Sequence, residues 1–312
     1  MDEIRIPNDA TYAPVALIDL ITTAPLASRL ILGATLPGRV LSAAALGFYA
    51  GSAMKDWAAR RDVRWIDFEV EFGADVHFLV PQPEEARRDE VATLARRLEE
   101  GWCEARRPRE ELARQVNARL TATIAGITGQ RVLTSCEIRG FGLAQVLLPF
   151  AVGGCDVLSG DVALFRDTGI FEPHVIGHEF VHRKGYWKEL HAQVLSYLAL
   201  VSADDPWLVQ SARAERVHRQ LKVLSGHDRE AYYGLVEGLD VRRDLKEQLH
   251  ALRPDAAAFE STASEVMRTL YDQRLKITGQ NGISDYDEGF TNFLWTWSQS
   301  PSARQDKALA EA

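Results

Sequence analysis

The segment Val175-Ile176-Gly177-His178-Glu179-Phe180-Val181-His182 sets two histidines four residues apart, with a glutamate directly after the first. On an α-helix this spacing puts both imidazoles on one face, one turn apart. Two neutral imidazoles so placed can take two corners of a tetrahedral zinc. The carboxylate of Glu179 can then reach a water beside the metal without ligating the metal itself. That is the arrangement of a metallohydrolase, in which zinc lowers the pKa of water toward about 7 and the carboxylate takes the proton. Phe180 and Val181, between the histidines, are apolar, as a helix buried against a core requires. Two histidines and a glutamate on such a helix are costly to bury without a partner.

Zinc needs a third protein ligand. Gly185 follows His182 by three residues and can end the helix in a left-handed conformation. A new helical pattern begins near Trp187, so the chain can turn and send a second helix past the metal. Glu189 and His191 are the candidates on that helix. Gln193, one turn after Glu189, can orient the Glu189 carboxylate or be a plain helix residue. His174 lies four residues before His178 but ahead of the expected helix start. Asp156, Asp161 and Asp167 stand in the Gly-rich run before the helix, where turn and cap roles are the default.

The surrounding pattern supplies the elements that hold these residues. Residues 1–13 read as irregular and 14–61 as helical. Residues 63–80 alternate apolar and polar and read as two strands with a turn at Gly73. Residues 84–104 and 108–127 have the three-and-four spacing of amphipathic helices. Residues 131–138 read as a strand, and 139–172 as short strands and loops beside the site. From His174 to Trp297 the pattern is almost wholly helical. The fold class is α+β, mostly helical. The expected division is an apolar helical module over 1–61, a zinc metallopeptidase-like domain over 62–300 and a polar tail over 301–312.

Composition excludes other classes. The formal charge is -8 and no basic run occurs, so phosphate contacts lack their clustered cations and no nucleic-acid partner is expected. Cys103, Cys136 and Cys155 are far apart and odd in number, which argues against a disulfide framework. The N-terminus Met1-Asp2-Glu3-Ile4-Arg5 lacks the basic and apolar regions of a secretory signal. A cytoplasmic or inner-membrane-associated location is expected. Residues 14–54 are rich in Ala, Leu, Ile and Gly but are interrupted by Asp19, Pro25, Arg29, Pro37 and Arg39. They fit buried or interfacial helices, and they are also the candidate for membrane association.

Residues 140–300 resemble an uncharacterised bacterial family of predicted membrane zinc peptidases, domain of unknown function 3810. The resemblance rests on Pro149-Phe150, on His178-Glu179-Phe180-Val181-His182 with Gly185, Glu189 and Ala192, and on Gly279-Gln280-Asn281-Gly282-Ile283-Ser284-Asp285-Tyr286. Glu189-Leu190-His191-Ala192-Gln193 is also similar to the helix motif that supplies the third ligand in gluzincin-type zinc peptidases. Departures are Val181 for Ala, Gln193 for Asn or Asp, and His191 for an acidic residue. The family's apolar N-terminal spans are weak or missing here.

The resemblance implies a gluzincin-like core, Zn2+ held by His178, His182 and Glu189, and Glu179 as general base. His191 stays open as the competing third ligand. Tyr286 is the candidate for stabilising an oxyanion. A peptide or protein is the implied substrate, received by strand addition along Val162–Phe165 as an edge strand. Arg274 and Lys276 belong to a solvated face or, alternatively, face substrate. Two other readings of the motif remain. One is a zinc or iron enzyme acting on a small molecule, and the other a non-catalytic module that keeps zinc for structure.

Overall fold

The computed structural model describes residues 2–8, 35–104, 106–140, 151–252 and 262–301. Most of the expected membrane-associating segment, and Pro149-Phe150, lie outside these residues. The chain begins with β1 (Asp2–Arg5) and continues with helices α1 (Leu36–Arg60), α2 (Phe68–Phe72), α3 (Glu84–Glu100) and α4 (Arg109–Thr128). Strands β2 (Gln130–Leu133), β3 (Arg139–Gly140), β4 (Gly153–Cys155) and β5 (Val162–Leu164) follow. The remainder is helical: α5 (Glu172–Arg183), α6 (Glu189–Val201), α7 (Pro206–Leu224), α8 (Arg229–Glu237), α9 (Arg243–Ala251), α10 (Thr262–Ile277) and α11 (Glu288–Gln299). A 3-10 turn, Ile283–Tyr286, precedes α11.

The protein is thus mostly helical with a few short strands. The helix α6 runs through its centre. All thirteen of its residues are buried, and the polar ones among them, Glu189, His191, Gln193 and Ser196, are hydrogen-bonded there. It packs against α4, α5, α7 and α11. In α4, Leu112, Val116, Leu120 and Ile124 recur every four residues and form the stripe that faces inward. Gly129, at φ 69°, ends α4 in the left-handed conformation.

Two sheets flank the helices. Residues 2–5, expected to be irregular, form β1 and pair in parallel with β2, Ile4 opposite Val132. The first residues therefore join the middle of the chain, across the expected boundary after residue 61. In the second sheet β5 is central, parallel to β3 and antiparallel to β4. Val162–Phe165 is therefore not the edge strand expected. Among the described residues the edges are β3 and β4, and β4 lies against α5.

The expected pair of strands over 63–80 is also corrected. Residues 68–72 form the helix α2, whose Asp67 side chain accepts a hydrogen bond from the Val70 N–H and whose end is Gly73 at φ 68°. Phe68 and Phe72 are buried while Val70 is 79% exposed. Positions i and i+4 share a face in both a strand and a helix, so alternation over five residues does not separate the two. The cap and the glycine decide the matter.

No helix among the described residues is long and apolar enough to cross a membrane.

Candidate metal centre

Helix α5 starts at Glu172, two residues before His174, so His174 lies inside the helix rather than ahead of it. The C-terminal end of α5 is pinned by two buried cations. Arg183 donates to the carbonyls of Gly160, Ser135 and Glu137 at 2.6, 2.9 and 2.8 Å. Lys184 donates to Thr121 Oγ1 and the Val132 carbonyl, both at 2.8 Å. Gly185, at φ 105°, then turns the chain, a conformation that only glycine adopts without strain. Helix α6 begins at Glu189, whose N–H donates to Gln280 Oε1 at 2.7 Å.

This turn brings three donor atoms together. His178 Nε2 lies 3.0 Å from Glu189 Oε2, His182 Nε2 lies 3.2 Å from the same oxygen, and the two ring nitrogens are 3.2 Å apart. His178, His182 and Glu189 are the group of potential ligands found among the described residues, and all three are buried. Zinc bonds of about 2.0–2.1 Å at tetrahedral angles set ligand atoms about 3.3 Å apart. The spacing of these three atoms therefore fits such an ion.

The tautomers fit as well. His182 Nδ1 is 2.8 Å from the Tyr186 carbonyl, an acceptor only, so Nδ1 carries a hydrogen and Nε2 presents a lone pair to the cluster. The His182 ring also stacks on Trp187, 5.8 Å between centroids and 6° between planes. With lone pairs of nitrogen and carboxylate oxygen converging, a proton or a cation must sit among them.

Without a metal the proton takes that place, and the ionisations show it. Burial alone would lower the pKa of His182, but the charge and hydrogen bond of Glu189 outweigh it and push His182 up to about 9. Burial lowers His178 to about 4, with the charge on His182 adding to the effect. Burial would raise Glu189, but the charge on His182 and hydrogen bonds from both histidines hold it well below the usual carboxylate range. Glu179 is 7% exposed and accepts no hydrogen bond from the described residues. Burial raises it to about 7, the nearby Glu189 charge adding and the His182 charge opposing.

The remaining candidates separate. His191 stacks on Phe68 at 3.6 Å and bonds Asp75 through Nε2 at 2.8 Å, turned away from the cluster. Gln193 does not orient Glu189. Its Oε1 meets His174 Nε2 at 2.5 Å, and burial holds His174 below its usual pKa. Asp161 pairs with Arg139, Asp156 accepts from the N–H groups of Leu158 and Ser159, and Asp167 from that of Gly169. None of these aspartates hydrogen-bonds a cluster histidine. Arg274 and Lys276 are exposed, and Lys276 pairs with Asp272.

Tyr286 does reach the site. Its ring lies 5.6 Å from that of His178, tilted by 25°. The Arg219 guanidinium is 5.9 Å from the Tyr286 ring centre. The next residue, Asp287, is gripped by Arg219 at 2.7 Å and Lys222 at 2.6 Å, and this fixes where the tyrosine stands.

The roles of two participants were not legible in the sequence. Gln280 holds the start of α6 through the Glu189 N–H. Tyr271, on α10, donates to Glu189 Oε1 at 2.7 Å and lies 2.9 Å from the Tyr286 hydroxyl. Gln280 sits in the Gly279–Tyr286 motif, but Tyr271 carries no spacing signal.

No curated protein and no solved structure matches the chain. Residues 169–294 match the model of an uncharacterised family described as Protein of unknown function (DUF3810), and that stretch contains His178, Glu179, His182, Glu189, Tyr271, Gln280 and Tyr286.

Proposed function

We propose that the protein is a zinc-dependent hydrolase, a metallopeptidase that cleaves a peptide or amide bond. The observation that carries this reading is the convergence of His178 Nε2, His182 Nε2 and Glu189 Oε2 at 3.0–3.2 Å in a buried site beside Glu179, a carboxylate with no hydrogen-bond partner among the described residues. A purely structural zinc site has no use for that last residue.

Bound zinc would supply Lewis acidity, polarising the scissile carbonyl and acidifying water. The chain's own residues do the rest. His178, His182 and Glu189 hold the ion, with His182 kept in the correct tautomer by the Tyr186 carbonyl. Glu179, raised to about 7 by burial, is poised to take a proton from water near neutral pH and hand it to the leaving amine. Tyr286 stands beside His178, and its O–H, given to Tyr271 in the resting site, would turn to the developing oxyanion. β4, at the edge of its sheet and packed on α5, is the strand along which an extended peptide would pair. Association with a membrane through residues 14–54 belongs to the same proposal.

The test is metal content and peptide hydrolysis measured together on the wild type and Glu179→Gln. One zinc per chain in both, with turnover in the wild type only, supports the reading. Zinc in both with no turnover on any peptide pool removes the peptidase assignment, and absence of metal from the wild type removes the site.

A further inference from the structure

The carboxylate of Glu189 has two oxygens with different neighbours. Oε2 faces both histidine nitrogens. Oε1 accepts the hydroxyl hydrogen of Tyr271 at 2.7 Å. A phenol has one hydrogen to give. Because Tyr271 spends it on a carboxylate, which only accepts, the 2.9 Å contact between the two hydroxyls must be donated by Tyr286. The chain of donors therefore runs from Tyr286 to Tyr271 to Glu189 Oε1.

Tyr271 comes from α10, an element otherwise at the periphery. The outward face of α10 carries Val266, Leu270 and Ile277, all more than half exposed. Its inward face carries Tyr271 and, one turn on, the buried Leu275. Asp272 accepts the N–H of Ile283 at 2.9 Å, which ties α10 to the turn that presents Tyr286.

We propose that Tyr271 is a positioning residue of the metal centre, occupying Glu189 Oε1 so that Oε2 alone is offered to the ion, and that α10 is through it a part of the site. This rests on the metal-binding reading above. A carboxylate free at both oxygens can rotate or close on a cation through both. One whose second oxygen is held cannot. Partners of this kind typically change metal affinity 10–100-fold when removed.

The experiment is titration of the metal-free full chain with zinc, and separately with cobalt, for the wild type, Tyr271→Phe, Tyr286→Phe, the double Phe variant and His178→Ala. Tyr271→Phe is expected to bind zinc about 10–100-fold more weakly. Its cobalt form should lose visible intensity as a second carboxylate oxygen enters the coordination shell. Tyr286→Phe should weaken binding less than Tyr271→Phe does, because Tyr271 makes the 2.7 Å bond to Oε1 while Tyr286 lies beside both groups. The double variant guards against Tyr286 swinging onto Oε1, and should bind no more tightly than Tyr271→Phe. Wild-type affinity and an unchanged cobalt spectrum in both Tyr271→Phe and the double variant overturn the proposal while leaving the metal site standing. Failure of the wild type to bind either metal, or binding unaffected by His178→Ala, overturns the site and the proposal together.

Discussion

Glu179 and His182 sit in the same buried pocket and are shifted in ways that make each a probe. Burial disfavours the charged form of both, yet His182 is charged up to about pH 9 because Glu189 faces it. A metal must displace that proton. Between about pH 7 and 9 zinc binding should therefore release one proton from His182, and apparent affinity should rise about tenfold per pH unit before levelling off. Titration calorimetry in buffers of different ionisation enthalpy counts the proton, and a pH-independent affinity between 6 and 8 would contradict the assignment.

For Glu179 the folded-state pKa lies near 7 against an ordinary value of 4.5. The neutral acid is the form that the fold favours. The stability associated with it is present below about 4.5 and lost as pH rises through 7. At pH 8 the metal-free Glu179→Gln variant should accordingly be more stable than the wild type, by about 2–3 kcal/mol, as measured by urea unfolding. The same variant should lose about 10²–10⁴ in kcat. In the loaded protein a neighbouring dication favours the carboxylate, so the acid limb of activity should fall no higher than about pH 7.

At the scale of elements, the site depends on the approach of α5 to α6 and on the turn between them. At Gly177 the two helices lie too close for a side chain. A methyl group there would collide with the Ser196 hydroxyl, which is itself bonded to the His174 carbonyl at 3.0 Å. Gly177→Ala should cost about 1–3 kcal/mol by forcing the helices apart, and Ser196→Ala should recover part of that loss in a double-mutant cycle. Additivity of the two changes would show that the close approach does not matter. Gly185→Ala should destabilise through its positive φ instead, by about 1–2 kcal/mol, with no rescue from Ser196→Ala.

Local signals specified much at this scale. The amphipathic spacing of α3 and α4 and the end of α5 near Gly185 follow from residue type and period. The residues of α2 did not read correctly, because Phe68 and Phe72 satisfy two periods at once. The central place of β5 could not be read either, since strand order depends on partners distant in sequence.

For the whole molecule, the three donors come from two consecutive helices, while the groups that hold them come from everywhere else. Tyr186 orients His182, Gln280 and Tyr271 engage Glu189, and Arg219 and Lys222 on α7 secure the residue after Tyr286. An ion bound at that junction stabilises the folded state by mass action. Chelation should lower the Tm of the wild type, added zinc should restore it, and Glu189→Gln should show little response to either. Equal response in the wild type and Glu189→Gln would place the metal elsewhere.

The sequence by itself determined the chemistry on offer. Two histidines one helical turn apart, an adjacent glutamate and an acid at the start of the next helix are relations within about a dozen residues, which helix geometry converts directly into positions. It left the third ligand open between Glu189 and His191, because both lie at the start of the same helix. Tertiary structure brings Glu189 to the two histidines and places Asp75 and the face of Phe68 against His191. It also supplied Tyr271, 82 residues from the carboxylate it touches. A contact across that separation depends on how α10 packs beside α6, and no spacing along the chain encodes it.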